Sequence, residues 1–504
     1  MKKQGFNPFL PSWEYIPDGE PHIFNGRVYV YGSHDRFNGY SYCLNDYVTW
    51  SAGEDDLTDW RYEGVIYKKT DDPNNKDGEM NLYAPDVTRG PDGKYYLYYV
   101  LDKLDTIGVA VCDTPAGKYE YLGYVHYPDG VLLGKKEGDV PQFDPAVFTE
   151  GDKTYLYSGQ CWGKVRTVED YRIRSIAVTL GKDMLTIEEG PHSIIPGAKV
   201  SEGTGFEGHE FFEASSIRKI GGTYYFVYSS FVLNELCYAT SSNPVKDFKY
   251  GGVIVSNADV GIDSYKPAAK MMFHGNNNHG GIEKINGKWY VFYHRHTNGN
   301  EFSRQACLEP ITINKDGSIK QAEMTSCGPN GSPLHGKGEY PAYIACNIFS
   351  LEDKAAPVKQ YWPNRTPEMP YVTQDGGDIT PGGLSKGSAF FYEVNKIDGN
   401  VSSSEVSIPQ TGHITNILDG CGIGFKYFDC KGVNTVKIKS RGYCRGYYEV
   451  KTNWDSQPLG KIDVVSSNIW KNFSAEIKIP DGIHAIYFVY KGTGIGTIGS
   501  FTLE

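Results

Sequence analysis

What this chain of 504 residues lacks sets its limits first. It has no excess of positive charge: 50 Lys and Arg stand against 61 Asp and Glu, for a net charge of −11, and the basic residues are scattered. That balance argues against a nucleic-acid partner. Behind the two lysines of Met1-Lys2-Lys3-Gln4-Gly5-Phe6-Asn7-Pro8 there is no apolar stretch of the length a secretory signal needs. No later run is long and apolar enough to cross a membrane as a helix. A cytoplasmic location is therefore the expectation, or secretion if a leader was removed. The ten cysteines show no metal-finger spacing and read as small buried or incidental thiols. Long amphipathic helical patterns are scarce, and nothing in the sequence bears on oligomeric state.

What is abundant is tyrosine, at 39 copies, and glycine, at 59, a combination that favours an all-β protein with many turns. Five segments repeat one pattern, a turn followed by an aromatic-rich strand: Asn25-Gly26-Arg27-Val28-Tyr29-Val30-Tyr31, Asp92-Gly93 to Tyr99, Gly151-Asp152 to Tyr157, Gly221-Gly222 to Tyr228, and Asn286-Gly287 to Tyr293. Each reads as a hairpin, and a spacing of roughly sixty to seventy residues predicts a five-bladed β-propeller. The repeats stop at the breaker-rich run Cys327-Gly328-Pro329-Asn330-Gly331-Ser332-Pro333. Short alternating strands follow, such as Thr435 to Lys439, Ala485 to Tyr490 and Gly496 to Leu503. The expected organisation is a propeller over residues 1–330 and a β-sandwich of jelly-roll type over 340–504.

The strand before each hairpin turn carries an acid or a histidine near its start: Asp18 or Glu20, Asp86, Asp144, Glu213 and His279. First strands of propeller blades line the central axis, so these side chains should converge. Any one of them alone reads as a turn-capping acid. Several at equivalent positions suit glycoside cleavage, which needs one protonated carboxyl for the leaving oxygen and one ionised carboxylate for water or direct attack. Phe211, Phe212 and Ile217 beside Glu213 would raise its pKa by desolvation, and Asp86 is the expected third carboxylate that holds the proton in place.

The stretch Asp18-Gly19-Glu20-Pro21-His22-Ile23-Phe24-Asn25-Gly26-Arg27-Val28-Tyr29-Val30-Tyr31-Gly32-Ser33-His34-Asp35 resembles the opening blade of glycoside hydrolase family 43, in the branch that includes arabinoxylan arabinofuranohydrolases. Ala84-Pro85-Asp86-Val87, Phe143-Asp144-Pro145-Ala146-Val147-Phe148, Asn278-His279-Gly280-Gly281-Ile282 and Arg304-Gln305-Ala306-Cys307-Leu308-Glu309-Pro310 extend the resemblance over about the first 320 residues. It implies inverting hydrolysis with Asp18 as base, Asp86 as the residue that tunes the acid's pKa, and Glu213 as acid. Two positions depart from the family pattern: Gly19 stands where a proline usually follows the base, and Ala214-Ser215-Ser216 follows the acid. Matching on the acid–proline pair makes Glu20 the alternative base. His279 corresponds to an axial histidine that faces a metal, often calcium, or a water cluster. Arg304 corresponds to an arginine that reaches the sugar or the catalytic carboxylates.

No cofactor is expected for the chemistry; a structural calcium at His279 is the one metal considered. Trp13, Phe37, Trp162 and Phe212 are candidate sugar platforms, with Phe212, His279 and Arg304 as expected substrate contacts. Tyr487 to Gly492 and Phe501 to Leu503 are similar to the end of family 6-type carbohydrate-binding modules, which implies sugar binding or a buttress for the propeller. The expected activity is release of terminal α-L-arabinofuranose or β-D-xylose from plant-cell-wall oligosaccharides. A galactan-directed enzyme using Glu20, or a catalytically silent sugar-binding propeller, are the competing readings.

Overall fold

The computed structural model describes residues 4–159, 174–263, 268–350, 369–375, 401–402 and 412–504. Five antiparallel sheets form in chain order. Their innermost strands are Glu20–Phe24, Asp86–Arg89, Ala146–Glu150, Phe211–Ile220 and Ile282–Ile285, and each continues outward through three more strands. The innermost strands neighbour one another around a ring, blade 1 touching both blade 2 and blade 5. The hairpins are those read from the sequence: Phe24 pairs with Arg27 across Asn25 and Gly26, both at positive φ (52° and 76°). Two such residues give the turn a twist that matches the flanking strands.

The aromatic strands alternate their side chains between the two faces of each blade, so the repeat builds its core between blades rather than within them. Tyr31, Tyr47, Leu97 and Tyr99 pack between blades 1 and 2; Tyr98, Val109, Leu156 and Val178 between blades 2 and 3; Tyr157, Ala177, Phe226 and Tyr228 between blades 3 and 4. The ring closes at the junction of blades 5 and 1, where Phe9, Leu10 and Trp13 pack beside Trp50, Trp60 and Phe292. There Asn7 donates to Leu308 O and accepts from Leu308 N, fixing the N-terminal segment to blade 5.

The last propeller strand is Ile319–Lys320, and the chain enters the C-terminal domain at Leu334–His335, earlier than residue 340. This domain is a ten-stranded sheet that curls on itself. Where short strands were expected, two long ones form its frame, Val433–Lys451 and Gly482–Leu503, and the segments 485–490 and 496–503 belong to one strand. Its core is continuous with that between blades 4 and 5: Tyr225, Val227 and Val291 share a cluster with Phe428, Phe488 and Phe501. Buried Lys426 lies 2.9 Å from both Asp259 and Glu323 of the propeller, and Asn347 Nδ2 donates to the same Asp259 carboxylate oxygen at 3.0 Å. A two-residue strand of the same C-terminal half, Val401–Ser402, adds a fifth strand to blade 1 opposite Arg61 and Tyr62. Nine cysteines lie among the described residues, all but Cys112 of them buried. No helix among the described residues is long and apolar enough to cross a membrane.

Candidate active site

Blades 2 and 3 start alike, Ala84-Pro85-Asp86-Val87 and Asp144-Pro145-Ala146-Val147, and their inner strands begin at Asp86 and Ala146. Aligned on the prolines, Asp144 stands two residues before the strand and Asp86 stands on its first position. Blade 1 holds both positions at once, with Asp18 two residues before its strand and Glu20 at the start. A step of two residues keeps a side chain on the same face while moving it down the strand. The channel consequently carries two tiers of carboxylates.

The outer tier joins Asp18, Asp144 and Glu213. Asp18 and Asp144 both have positive φ (58° and 44°), which turns the backbone just before the strand. Glu213 lies on the blade 4 strand where its register with the next strand shifts, at Phe211/Glu213 and again at Glu213/Ser216. Such a bulge re-aims a side chain. Ala214, next along, is held at φ 70° and its N–H donates to Asp144 Oδ2 at 3.0 Å. Non-glycine residues at positive φ persist where surrounding contacts hold them, and here three cluster at one site.

The electrostatics of this tier separate its acids. Burial alone would raise the pKa of Asp18, but Arg304, with Nη1 2.9 Å from Oδ1, and His294, 3.3 Å away, overcome it and hold the carboxyl well below the usual range. Arg304 is itself fixed by Asp35, which accepts from Nε at 2.9 Å and from Nη2 at 3.0 Å. Among the described residues no cation pairs directly with Glu213. Burial, and then the negative charge of Asp18, push its pKa up to about 8, with only Arg304 opposing. Asp144 is raised as well, by burial and then by Glu213 and Asp18. His279 Nδ1 lies 3.5 Å from Asp144 and 3.8 Å from Asp18; burial pushes its pKa down to about 4, so the imidazole is neutral.

The inner tier joins Glu20, His22 and Asp86. Asp86 accepts from Val87 N and Val147 N, each at 2.7 Å, and its Oδ1 lies 2.6 Å from His22 Nε2. Glu20 accepts from Ser216 Oγ at 3.0 Å and lies 3.5 Å from Arg218, which also pairs with Glu283. Burial and the Asp86 charge raise the pKa of Glu20. Packing here is tight: a Cβ on Gly281 would sit 2.7 Å from Glu20 Oε2.

The structure therefore brings Asp18, Glu213, Arg304 and His279 together, and it does not bring Asp86 to Glu213. The third carboxylate beside the acid is Asp144. The signal that would have found it was in the sequence, in the offset between Asp144-Pro145 and Pro85-Asp86. Of the candidate platforms, Trp13 is buried in the core, Phe37 is stacked on Tyr15, and Phe212 is buried against Phe231, so none of these three rings presents a free face. Trp162 lies outside the described residues. A partly exposed aromatic at the site is Tyr42, which was not anticipated; Arg304 lies over its ring at 4.9 Å, and burial and then the Glu301 carboxylate push its phenol pKa up.

His279 offers a calcium ion one nitrogen, and the oxygens nearest it belong to Asp18 and Asp144, so most of an oxygen-rich calcium shell would have to be water. Among the described residues the axial group that places three ligand types together is Glu20, His22 and Asp86.

Comparison with known proteins gives a consistent result. Residues 22–319 match the family model described as glycosyl hydrolases family 43. A xylosidase/arabinosidase of Thermoclostridium stercorarium is 60% identical over 504 residues, spanning all of this chain and 99% of that protein. A xylosidase/arabinosidase of Bacteroides ovatus is 31% identical over 316 residues, 57% of this chain and 87% of that one. Among solved structures, a β-xylosidase aligns with a TM-score of 0.50 and 26% identity, over 64% of this chain and 99% of that one.

Proposed function

Because the chain belongs to glycoside hydrolase family 43, we propose that it is an inverting exo-glycosidase releasing terminal α-L-arabinofuranose or β-D-xylose from plant-cell-wall oligosaccharides. The observation that carries the assignment of roles is the opposite displacement of two neighbouring carboxyls. Asp18 is held ionised by Arg304, while Glu213 keeps its proton to a pKa of about 8. Two carboxyls whose surroundings push their pKa values apart supply a base and an acid at one pH.

In this reading Glu213 gives its proton to the glycosidic oxygen as the bond to the anomeric carbon breaks. Asp18 takes a proton from the water that attacks the opposite face, and the anomer inverts. Asp144, rather than Asp86, tunes the acid: its carboxyl receives the Ala214 N–H and so fixes the backbone that carries Glu213. Arg304 keeps the base ionised and in place. Glu20 fits the base role poorly, since burial and the Asp86 charge favour its protonated form and one of its oxygens, Oε2, is held by both Ser216 and Arg218. No step runs through a metal, and the calcium considered at His279 would be structural. The similarity to two xylosidase/arabinosidases supports the pentose assignment.

The test is product analysis on a panel of arabino-xylo-oligosaccharides, with NMR following the anomer released first. Expected are β-L-arabinose from α-arabinofuranosides and α-D-xylose from β-xylosides. A retained anomer would overturn inversion, and galactose as the sole product from a panel of galactans and arabinoxylans would overturn the pentose assignment.

A further inference from the structure

Among the described residues, a short segment of the C-terminal domain, residues 369–375, reaches the active-site end of the propeller. Its strand Tyr371–Thr373 pairs with His413–Ile417 of the C-terminal sheet, so it is anchored there. From that anchor it grips the loop that joins the second and third strands of blade 5, residues 297–303. Asn298 N–H donates to Val372 O at 2.6 Å, and Thr373 Oγ1 donates to Asn298 Oδ1 at 2.9 Å. Asn298 sits at φ 55°, a conformation these contacts help to hold. One residue further, Gln374 Oε1 accepts from Tyr15 Oη at 3.1 Å.

Both grips lead to the base. In the first, the clamped loop carries Glu301, which accepts from Tyr42 Oη at 2.6 Å and from Asn276 at 2.8 Å. Tyr42 in turn lies against the Arg304 guanidinium that holds Asp18. In the second, Tyr15 stacks on Phe37, and its carbonyl accepts from the N–H of Asp35, the carboxylate that orients Arg304.

We propose that residues 372–374 of the C-terminal domain are positioning residues of the propeller's active site, setting the 297–303 loop and with it the Tyr42–Arg304 wall against which the sugar binds. The inference rests on the glycosidase reading for its kinetic consequence, but not for its structural one. The C-terminal domain is then required for substrate affinity whether or not it binds sugar itself.

The experiment compares wild type with Thr373→Val plus Gln374→Met, which remove the two side-chain bonds and nearly keep the volume, and with Thr373→Ser, which restores the hydroxyl. Expected for the double variant is faster amide exchange over 297–303, a KM for arabino-xylo-oligosaccharides raised about tenfold, and kcat within about threefold, with Thr373→Ser close to wild type. Wild-type KM in the double variant overturns the proposal even if its melting temperature falls, because a purely structural contact would do that. Unchanged exchange over 297–303 overturns it too. If the double variant does not fold, Thr373→Val alone is read in the same way. If wild type hydrolyses no pentoside, the functional reading fails, and exchange over 297–303 alone decides the clamp.

Discussion

Two tiers of buried carboxylates share one channel, a two-residue step apart, and only one of them has the character of a reaction centre. In the outer tier the cation is shared unequally. Arg304 binds Asp18 closely, so Asp18 stays ionised while its charge helps to keep the proton on Glu213. In the inner tier the acids meet partners already in place: two backbone N–H groups and His22 for Asp86, and Ser216 and Arg218 on one oxygen, Oε2, of Glu20. Buried acids so partnered serve the fold, whereas acids left at odds with one another retain free energy that chemistry can use. The lesson is that carboxylate density in a propeller channel does not mark the site; asymmetry of partners does.

The comparison breaks most sharply at Glu213. Glu213→Gln should lower kcat/KM on unactivated oligosaccharides by about 10³-fold, the middle of the range that general acid catalysis contributes, with folding intact. An activity within tenfold of wild type would remove Glu213 from the chemistry. Next comes the exchange of roles between tiers. Asp144→Ala removes the acceptor of the Ala214 N–H and should cost about 10²-fold in kcat, while Asp144→Asn, which keeps an acceptor oxygen, should lose less. Asp86→Asn should do the reverse, costing about 1–3 kcal/mol in urea unfolding through its disrupted acceptor set, with activity per folded molecule within about threefold. If Asp86→Asn silences the enzyme and Asp144→Ala does not, the tiers have been assigned the wrong way round.

A pH profile sharpens the contrast further. Glu213 is raised in the folded state from an ordinary value of 4.5 to about 8. Its contribution to stability is therefore full below 4.5 and is lost as pH rises through about 8, and kcat/KM should fall over the alkaline end of the same window. Asp18 is depressed, so it should add no acidic limb above its ordinary value of 3.8. The smallest effect is expected at Glu20. Its surroundings favour the protonated form, so Glu20→Gln should change activity at pH 7 by less than about twofold and stability by less than about 1 kcal/mol. Loss of turnover in that variant would make Glu20 the base.

Much of this was legible from residues alone, and the failures have a common cause. The hairpins at Asn25-Gly26 and Asn286-Gly287 were readable because turn chemistry is local. Glu213 was expected as the proton-holding acid from apolar neighbours in sequence, Phe211, Phe212 and Ile217, and burial does raise its pKa. Asp86 was misplaced because its tier depends on a two-residue offset between blades, visible only when Pro85 is set against Pro145. Phe212 was expected as a platform because aromatic character is a property of the residue, whereas whether a face is free depends on Phe231, nineteen positions away.

The sequence by itself determined the all-β class, the count of blades and the carboxyl chemistry, since these follow from side-chain period, turn residues and residue type. Only the tertiary structure decided which acid stands beside which, that Arg304 serves Asp18 across 286 positions, and that a segment near residue 373 grips a loop near 298. A pKa and a hydrogen bond depend on distance in space. The period of a strand fixes which face a residue takes, but not how far along the channel its neighbours from other blades will lie.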